Sequence, residues 1–251
     1  MRDYLAWRKA FGVPTPSTNT VVQPEYDDMR PDGVTNHISR MMIADMPVTS
    51  DADFERLILA IDESLDPAID QVMTAKPDHL ILGISALSVW GGTPESVEGL
   101  KERMAARAGG GIGVTVPAEA VVSALKAHGI ERRIAVVEPY YPVIEGPLRS
   151  FLGAHGYEVI RFNHMRGSQP TQYSVLRAQD LIAALRQVDG DDIEAIVQFG
   201  ANLPMARIAD EAERWLDKPV ISVNVATYWH ALRSTGIADQ RQGFTRLFSE
   251  H

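Results

Sequence analysis

The chain has 251 residues, 45% of them hydrophobic and 23% charged, an ordinary globular composition with enough apolar material for one large core or two smaller ones. Its formal net charge of -9 and the lack of any Lys/Arg cluster argue against nucleic acid or an anionic membrane as the main partner, since both recruit cations to neutralise phosphate. No cysteine is present, which excludes disulfides, thiolate metal sites and thiol nucleophiles together.

In chain order, Lys9–Val13 reads as a strand ending in the turn PTPSTN, before a helix over Val21–Met29. Helical spacing of apolar residues covers Asp51–Met73; a strand follows at His79–Ile84, then the turn SALSVWGGTPE and a helix at Pro94–Arg107. Gly111–Val116 is a strand and Pro117–His128 a helix. The alternation continues with strand Arg133–Val137, turn EPYYP, helix Pro142–His155, strand Glu158–Phe162 and helix Ala178–Val188. Strand Glu194–Phe199, turn GANLP, helix Pro204–Leu216, strand Pro219–Val223, turn NVATYW and helix Ala226–Ser234 complete it.

Such alternation predicts an α/β fold with mostly parallel sheets. Ligands bind beyond the carboxyl ends of strands in open parallel sheets, so the five polar turns are where function is expected. An approximate repeat, residues 9–116 against 133–223, predicts two similar lobes, 1–116 and 117–224, with a C-terminal helix within 225–251 packing back on the first. Gly109-Gly110-Gly111 is either a hinge between lobes or a helix-to-strand loop. No apolar segment follows Met1-Arg2-Asp3-Tyr4 and no window approaches the ~18 apolar residues that span a bilayer, so a cytoplasmic, membrane-free protein is expected. The seven histidines show no HxxxH or HExxH spacing, so no metal site is expected.

The segments GVPTPSTNTVVQPEY (12–26), VEPYYPVIEGPLRSFLGAHGYEV (137–159), VQFGANLPM (197–205) and VISVNVATYWHALRSTG (220–236) together resemble the maleate cis-trans isomerase and arylmalonate decarboxylase branch of the aspartate/glutamate racemase superfamily. The resemblance implies two Rossmann-like (flavodoxin-like) lobes about a pseudo-twofold axis, an active site in the cleft between them, and neither metal nor organic cofactor. It also implies a pair of catalytic cysteines, or one in the decarboxylases, each after a strand. Here the second position falls at Gly200 and the first within Gly83-Ile84-Ser85, so no thiol stands at either.

Asn19 matches the family asparagine that helps hold a substrate carboxylate. With Ser17, Thr18 and the amides ahead of the following helix, it suits an anion; the alternative is plain N-capping. Tyr140 matches the Pro-Tyr turn whose phenol meets substrate, with Tyr141 as a neighbour able to take that role. Ser85 and Ser88 face the first missing thiol as donors, or Ser85 as a nucleophile if a base adjoins it. Gly200, Ala201 and Asn202 offer backbone and side-chain amides, or simply form a small-residue turn ahead of Pro204. His230 either caps the cleft as an acid/base group or packs, Trp90 walls a pocket or belongs to the core, and Glu25 belongs to the first helix.

Three functions stand. One is a cofactor-independent isomerase or lyase on a small carboxylate or dicarboxylate, stabilising enolate-like charge with Tyr140, Ser85 and Asn202. Another is a hydrolase or hydratase using water or a serine hydroxyl, and the third a non-catalytic carboxylate-binding protein. Self-assembly into a homo-oligomer is left open. Cysteines placed at Gly200 and Ser85 are expected to restore a trace of thiol chemistry.

Overall fold

A computed structural model describes residues 4–251. The strands β1 (Lys9–Pro16), β2 (Val34–Met41), β3 (His79–Ile81) and β4 (Gly113–Thr115) form one parallel sheet in the order β2-β1-β3-β4. A second parallel sheet, β6-β5-β7-β8, is built from β5 (Arg133–Glu138), β6 (Glu158–His164), β7 (Ala195–Gln198) and β8 (Val220–Ser222). The two orders are the same with each strand advanced by four, so the sequence repeat is a repeat of topology. Interior strands read as apolar runs because helices cover both faces: every residue of β7 and β8 is buried, as are the last six of β1.

The helices are α1 (Val22–Met29), α2 (Asp51–Met73), α3 (Ser85–Val89), α4 (Pro94–Arg107), α5 (Pro117–Ala127), α6 (Glu145–Ala154), α7 (Ala178–Val188), α8 (Ala206–Leu216), α9 (Val223–Ser234) and α10 (Thr245–Glu250). In α2 the Ser50 hydroxyl accepts the Asp53 amide as an N-cap, and Phe54, Leu57, Ile58, Ile61, Leu65, Ala68, Ile69 and Val72 form its buried stripe. Two elements differ from expectation. The strand β2, half polar and paired only with β1, has no apolar signature, and the turn after β3 contains α3, five residues all buried.

Gly109, Gly110 and Gly111, at φ 92°, 79° and 72°, connect α4 to β4 within the first sheet, so they are a helix-to-strand loop. The chain passes between sheets through α5 instead. The C-terminal stretch is two helices rather than one: α9 packs on α1, α5, β3 and β4, whereas α10 packs on α8 and α9. Among the described residues no helix is long and apolar enough to cross a membrane.

In each sheet the strand order reverses between the first and third strands, β1/β3 and β5/β7. Loops leaving these strands diverge and open a crevice at their carboxyl ends. Asn19 follows β1, Ser85 follows β3, Tyr140 follows β5 and Gly200–Asn202 follow β7, so the reversal points of both sheets supply the site.

Candidate active site

A cavity lies where these strand ends meet. Pro16, Thr18, Asn19, Ile43, Ile84 and Ala86 contribute from the first sheet's loops, Phe54, Leu57, Ile58 and Ile61 from α2, and Tyr140, Pro170, Tyr173 and Asn202 from the second sheet's loops. Its volume of about 30 Å³ takes a water or two. The walls are apolar, and no lining residue carries a charge.

A hydrogen-bonded seam joins the two sheets at the rim. The Asn19 Oδ1 accepts the amides of Val21 and Val22, both at 2.9 Å, capping α1, while its Nδ2 donates across the cleft to the Ala201 carbonyl at 3.2 Å. The same carbonyl accepts from Asn224 Nδ2 at 3.1 Å. Asn202 answers from the other side: its Oδ1 accepts the Thr20 amide at 3.0 Å, and its Nδ2 donates to Pro170 O at 2.9 Å and Thr18 O at 3.5 Å. Of the two roles read from the sequence, the contacts of Asn19 meet the capping one, and its cross-cleft bond to Ala201 is an addition to both.

Ser85 is fully buried, 2.8 Å from the Tyr140 hydroxyl, and its Oγ accepts the Ala201 amide at 3.1 Å. Burial pushes the Tyr140 phenol well above its ordinary value, and the Ser85 hydroxyl and the amides of Ala201 and Ala86 ease it only partly. The phenol therefore stays protonated through the neutral range, and among the described residues no histidine or carboxylate is hydrogen-bonded to Ser85. A serine nucleophile needs a base hydrogen-bonded to it.

The other expected residues take these places. Thr18 lines the cavity. Ser17 exchanges hydrogen bonds with the Ile43 backbone, its Oγ donating to Ile43 O at 3.2 Å and accepting Ile43 N at 3.1 Å. Ser88 donates to Ser85 O at 2.6 Å and accepts the Ala118 amide at 3.1 Å, fastening α3 to α5. Tyr141 donates to Val48 O at 2.7 Å. Gly200 O accepts from Gln198 Nε2 at 2.8 Å and Leu203 N at 3.0 Å. His230, on α9, is absent from the cavity wall; burial lowers its pKa, with Glu119 and Lys101 the charges around it. Trp90 also stays outside and packs edge-on against Phe54, 6.0 Å between centroids.

Glu25 reaches from α1 to the N-terminus of α8, where Oε1 accepts the Ala206 amide at 2.9 Å and Oε2 accepts from Asn224 Nδ2 at 2.6 Å. It stands in the first turn of α1, as read from the sequence, and its side chain also bonds the first amide of α8. Burial raises its pKa to about 7 against those donors. Behind Tyr140, the buried Glu138 accepts the Tyr140 amide and bonds His164 Nδ1, whose Nε2 is 2.6 Å from Glu145. Burial alone would lower the His164 pKa, and the two carboxylates reverse that. Among the described residues no group of three or more His, Cys, Asp or Glu is arranged to hold a metal ion.

Two topologically equivalent loops, 42–50 after β2 and 165–177 after β6, contribute Ile43, Pro170 and Tyr173 to the cavity wall and are bonded to each other. Val48 N donates to Ser168 O at 2.8 Å, and Thr171 donates to Asp45 through Oγ1 at 2.8 Å and through its amide at 3.3 Å. Sequence reasoning missed Tyr173 in the second loop and the apolar wall of α2. The wall was legible only as helix periodicity, and SQPTQYSV carries no motif.

The arylmalonate decarboxylase family matches residues 52–248 of the chain. Over 249 residues the chain is 22% identical to a maleate isomerase of Nocardia farcinica, covering 96% of each. It is similar in structure to a mutant of the N. farcinica maleate cis-trans isomerase carrying a covalently bound succinylcysteine intermediate (TM-score 0.85, 22% identity, 97% of this chain and 99% of that one). It is likewise similar to arylmalonate decarboxylase (TM-score 0.73, 20% identity, 95% and 98%).

Proposed function

The chain belongs to the arylmalonate decarboxylase family, and from that premise we propose an isomerase or lyase acting on a small carboxylate or dicarboxylate without a thiolate. The observation that carries the reading is the convergence of Asn19, Tyr140 and Asn202, from the strand ends of both sheets, on one cavity. A succinylcysteine of the kind found in the isomerase relative cannot form in a chain without cysteine. What remains is stabilisation of charge: neutral donors in a water-poor site act strongly on a developing enolate because they need no reorganisation.

Decarboxylation of a malonate-type acid suits such a site better than isomerisation does. Loss of carbon dioxide leaves an enediolate that needs donors and then one proton, and the Tyr140 phenol, held protonated by burial, supplies both; water afterwards restores its proton. Isomerisation of a cis double bond requires a transient single bond, which the relatives' thiol creates and which no activated nucleophile replaces here.

The test is turnover of phenylmalonate, followed by carbon dioxide release, and of maleate, followed by loss of its ultraviolet absorbance, with Tyr140→Phe as control. Phenylmalonate decarboxylation that falls about 100-fold or more in Tyr140→Phe is expected. Ligand-induced stabilisation with no turnover of either acid would reduce the protein to a binder, and turnover unaffected by Tyr140→Phe would remove the phenol from the reaction.

A further inference from the structure

Tyr173 is the one buried polar side chain of the cavity wall left without a hydrogen-bond partner among the described residues. It is 4% exposed, and its hydroxyl meets no donor or acceptor. Every other buried polar side chain of that wall, Asn19, Tyr140 and Asn202, is bonded within the seam. A buried hydroxyl without a partner costs stability that phenylalanine at the same position would not, and such costs persist where a ligand supplies the partner.

The ring is held in place. It stands edge-on to Tyr140, centroids 6.0 Å apart at 82°. Gly167 leaves the space it occupies: a Cβ there would lie 2.4 Å from Tyr173 Cδ1. The turn carrying it is tied down on both sides, by Thr171 to Asp45 and by Pro170 O to Asn202. Burial drives the phenol far above its ordinary pKa, so it remains a protonated donor through the neutral range.

We propose that the Tyr173 hydroxyl is a substrate-binding group, donating a hydrogen bond to a carboxylate oxygen of the ligand. The proposal rests on the carboxylate reading above and adds a residue to it. With no cation in the wall, recognition of an anion falls to neutral donors, and this is the buried one that no protein acceptor occupies.

Tyr173→Phe removes only the oxygen. The free variant should melt at the same temperature as the wild type or about 2–4 °C higher, because an unpaired buried hydroxyl is lost. Its dissociation constant for phenylmalonate or maleate, by titration calorimetry, should rise about 10-fold, with KM following and kcat changing less. A lower melting temperature of the free variant overturns the proposal, since it means the hydroxyl supports the fold. Unchanged affinity for whichever acid the wild type binds overturns the assignment of Tyr173 alone, whereas a wild type that binds neither acid refutes the carboxylate reading and this proposal with it.

Discussion

Adding one methyl group at Gly200 tests whether the position at which the family resemblance puts the second thiol is closed. Gly200 has no positive φ, so its backbone accepts alanine, and a Gly-to-Ala change at a compatible backbone ordinarily stabilises by about 0.4–1 kcal/mol through the unfolded state. Here the new Cβ would stand 2.4 Å from Pro139 Cδ and 2.8 Å from Cγ, so the proline must retreat by about 1 Å to reach ordinary contact. Pro139 lies between Glu138 and Tyr140, whose carboxylate and amide are bonded to each other, and displacing it pulls Tyr140 from Ser85. Overpacking at about 1–3 kcal/mol and a lost hydrogen bond at about 1 kcal/mol outweigh the entropic gain. Gly200→Ala should therefore destabilise by about 2–3 kcal/mol in urea titrations, while Gly153→Ala in α6, with no atom within 4 Å of its new Cβ, should stabilise. A Gly200→Ala protein more stable than wild type would refute the reasoning. Gly200→Cys carries the same Cβ, so a thiol restored there meets the same crowding against Pro139. In the first window, Gly83 is likewise blocked, its Cβ 2.0 Å from Thr15 Oγ1, and only Ile84 lines the cavity.

Ser85→Ala strips partners from the buried Tyr140 hydroxyl and the Ala201 amide and should cost about 2–4 kcal/mol of stability in chemical denaturation; a cost below 0.5 kcal/mol would mean the contacts are slack. Asn19→Ala should be about 1 kcal/mol less stable than Asn19→Ser, which keeps an N-cap oxygen for α1 while losing the donor to Ala201; equal stabilities would show that the cap contributes nothing. Glu25 titrates at about 7 in the folded chain against an ordinary value of 4.5, so the native state holds the extra proton between those values. Its contribution to stability is full below about pH 4.5 and declines as pH rises to about 7. Glu25→Gln should flatten that slope in urea midpoints measured across the range, and an unchanged slope would assign it to other groups.

Much of this architecture is legible because helix α2 pairs a strict apolar period with a serine cap, and its bounds, Asp51–Met73, agree with the reading from sequence. Strand β2 escapes because it buries little: an edge strand with Thr35, Asn36, Ser39 and Arg40 presents neither alternation nor an apolar run. The turns that hold Asn19, Tyr140 and Asn202 can be found because strand ends announce themselves through Pro, Gly and Asn, whereas Asn19 and Tyr140 themselves are picked out within them by the family resemblance. Their partners cannot be found, since which amide faces which carbonyl across the cleft depends on the mutual placement of the two sheets. Tyr173 is hidden for the same reason: its importance is an unpaired oxygen, a property of surroundings with no local pattern.

The bonded loops at the cavity wall have a consequence for time rather than affinity. Where the bonds of Val48 to Ser168 and Asp45 to Thr171 must part to admit a molecule, that molecule also leaves only while they are parted. Slow capture and long residence would arise from one event, and observed association rates would level off at high ligand concentration, at the frequency with which the bridge opens.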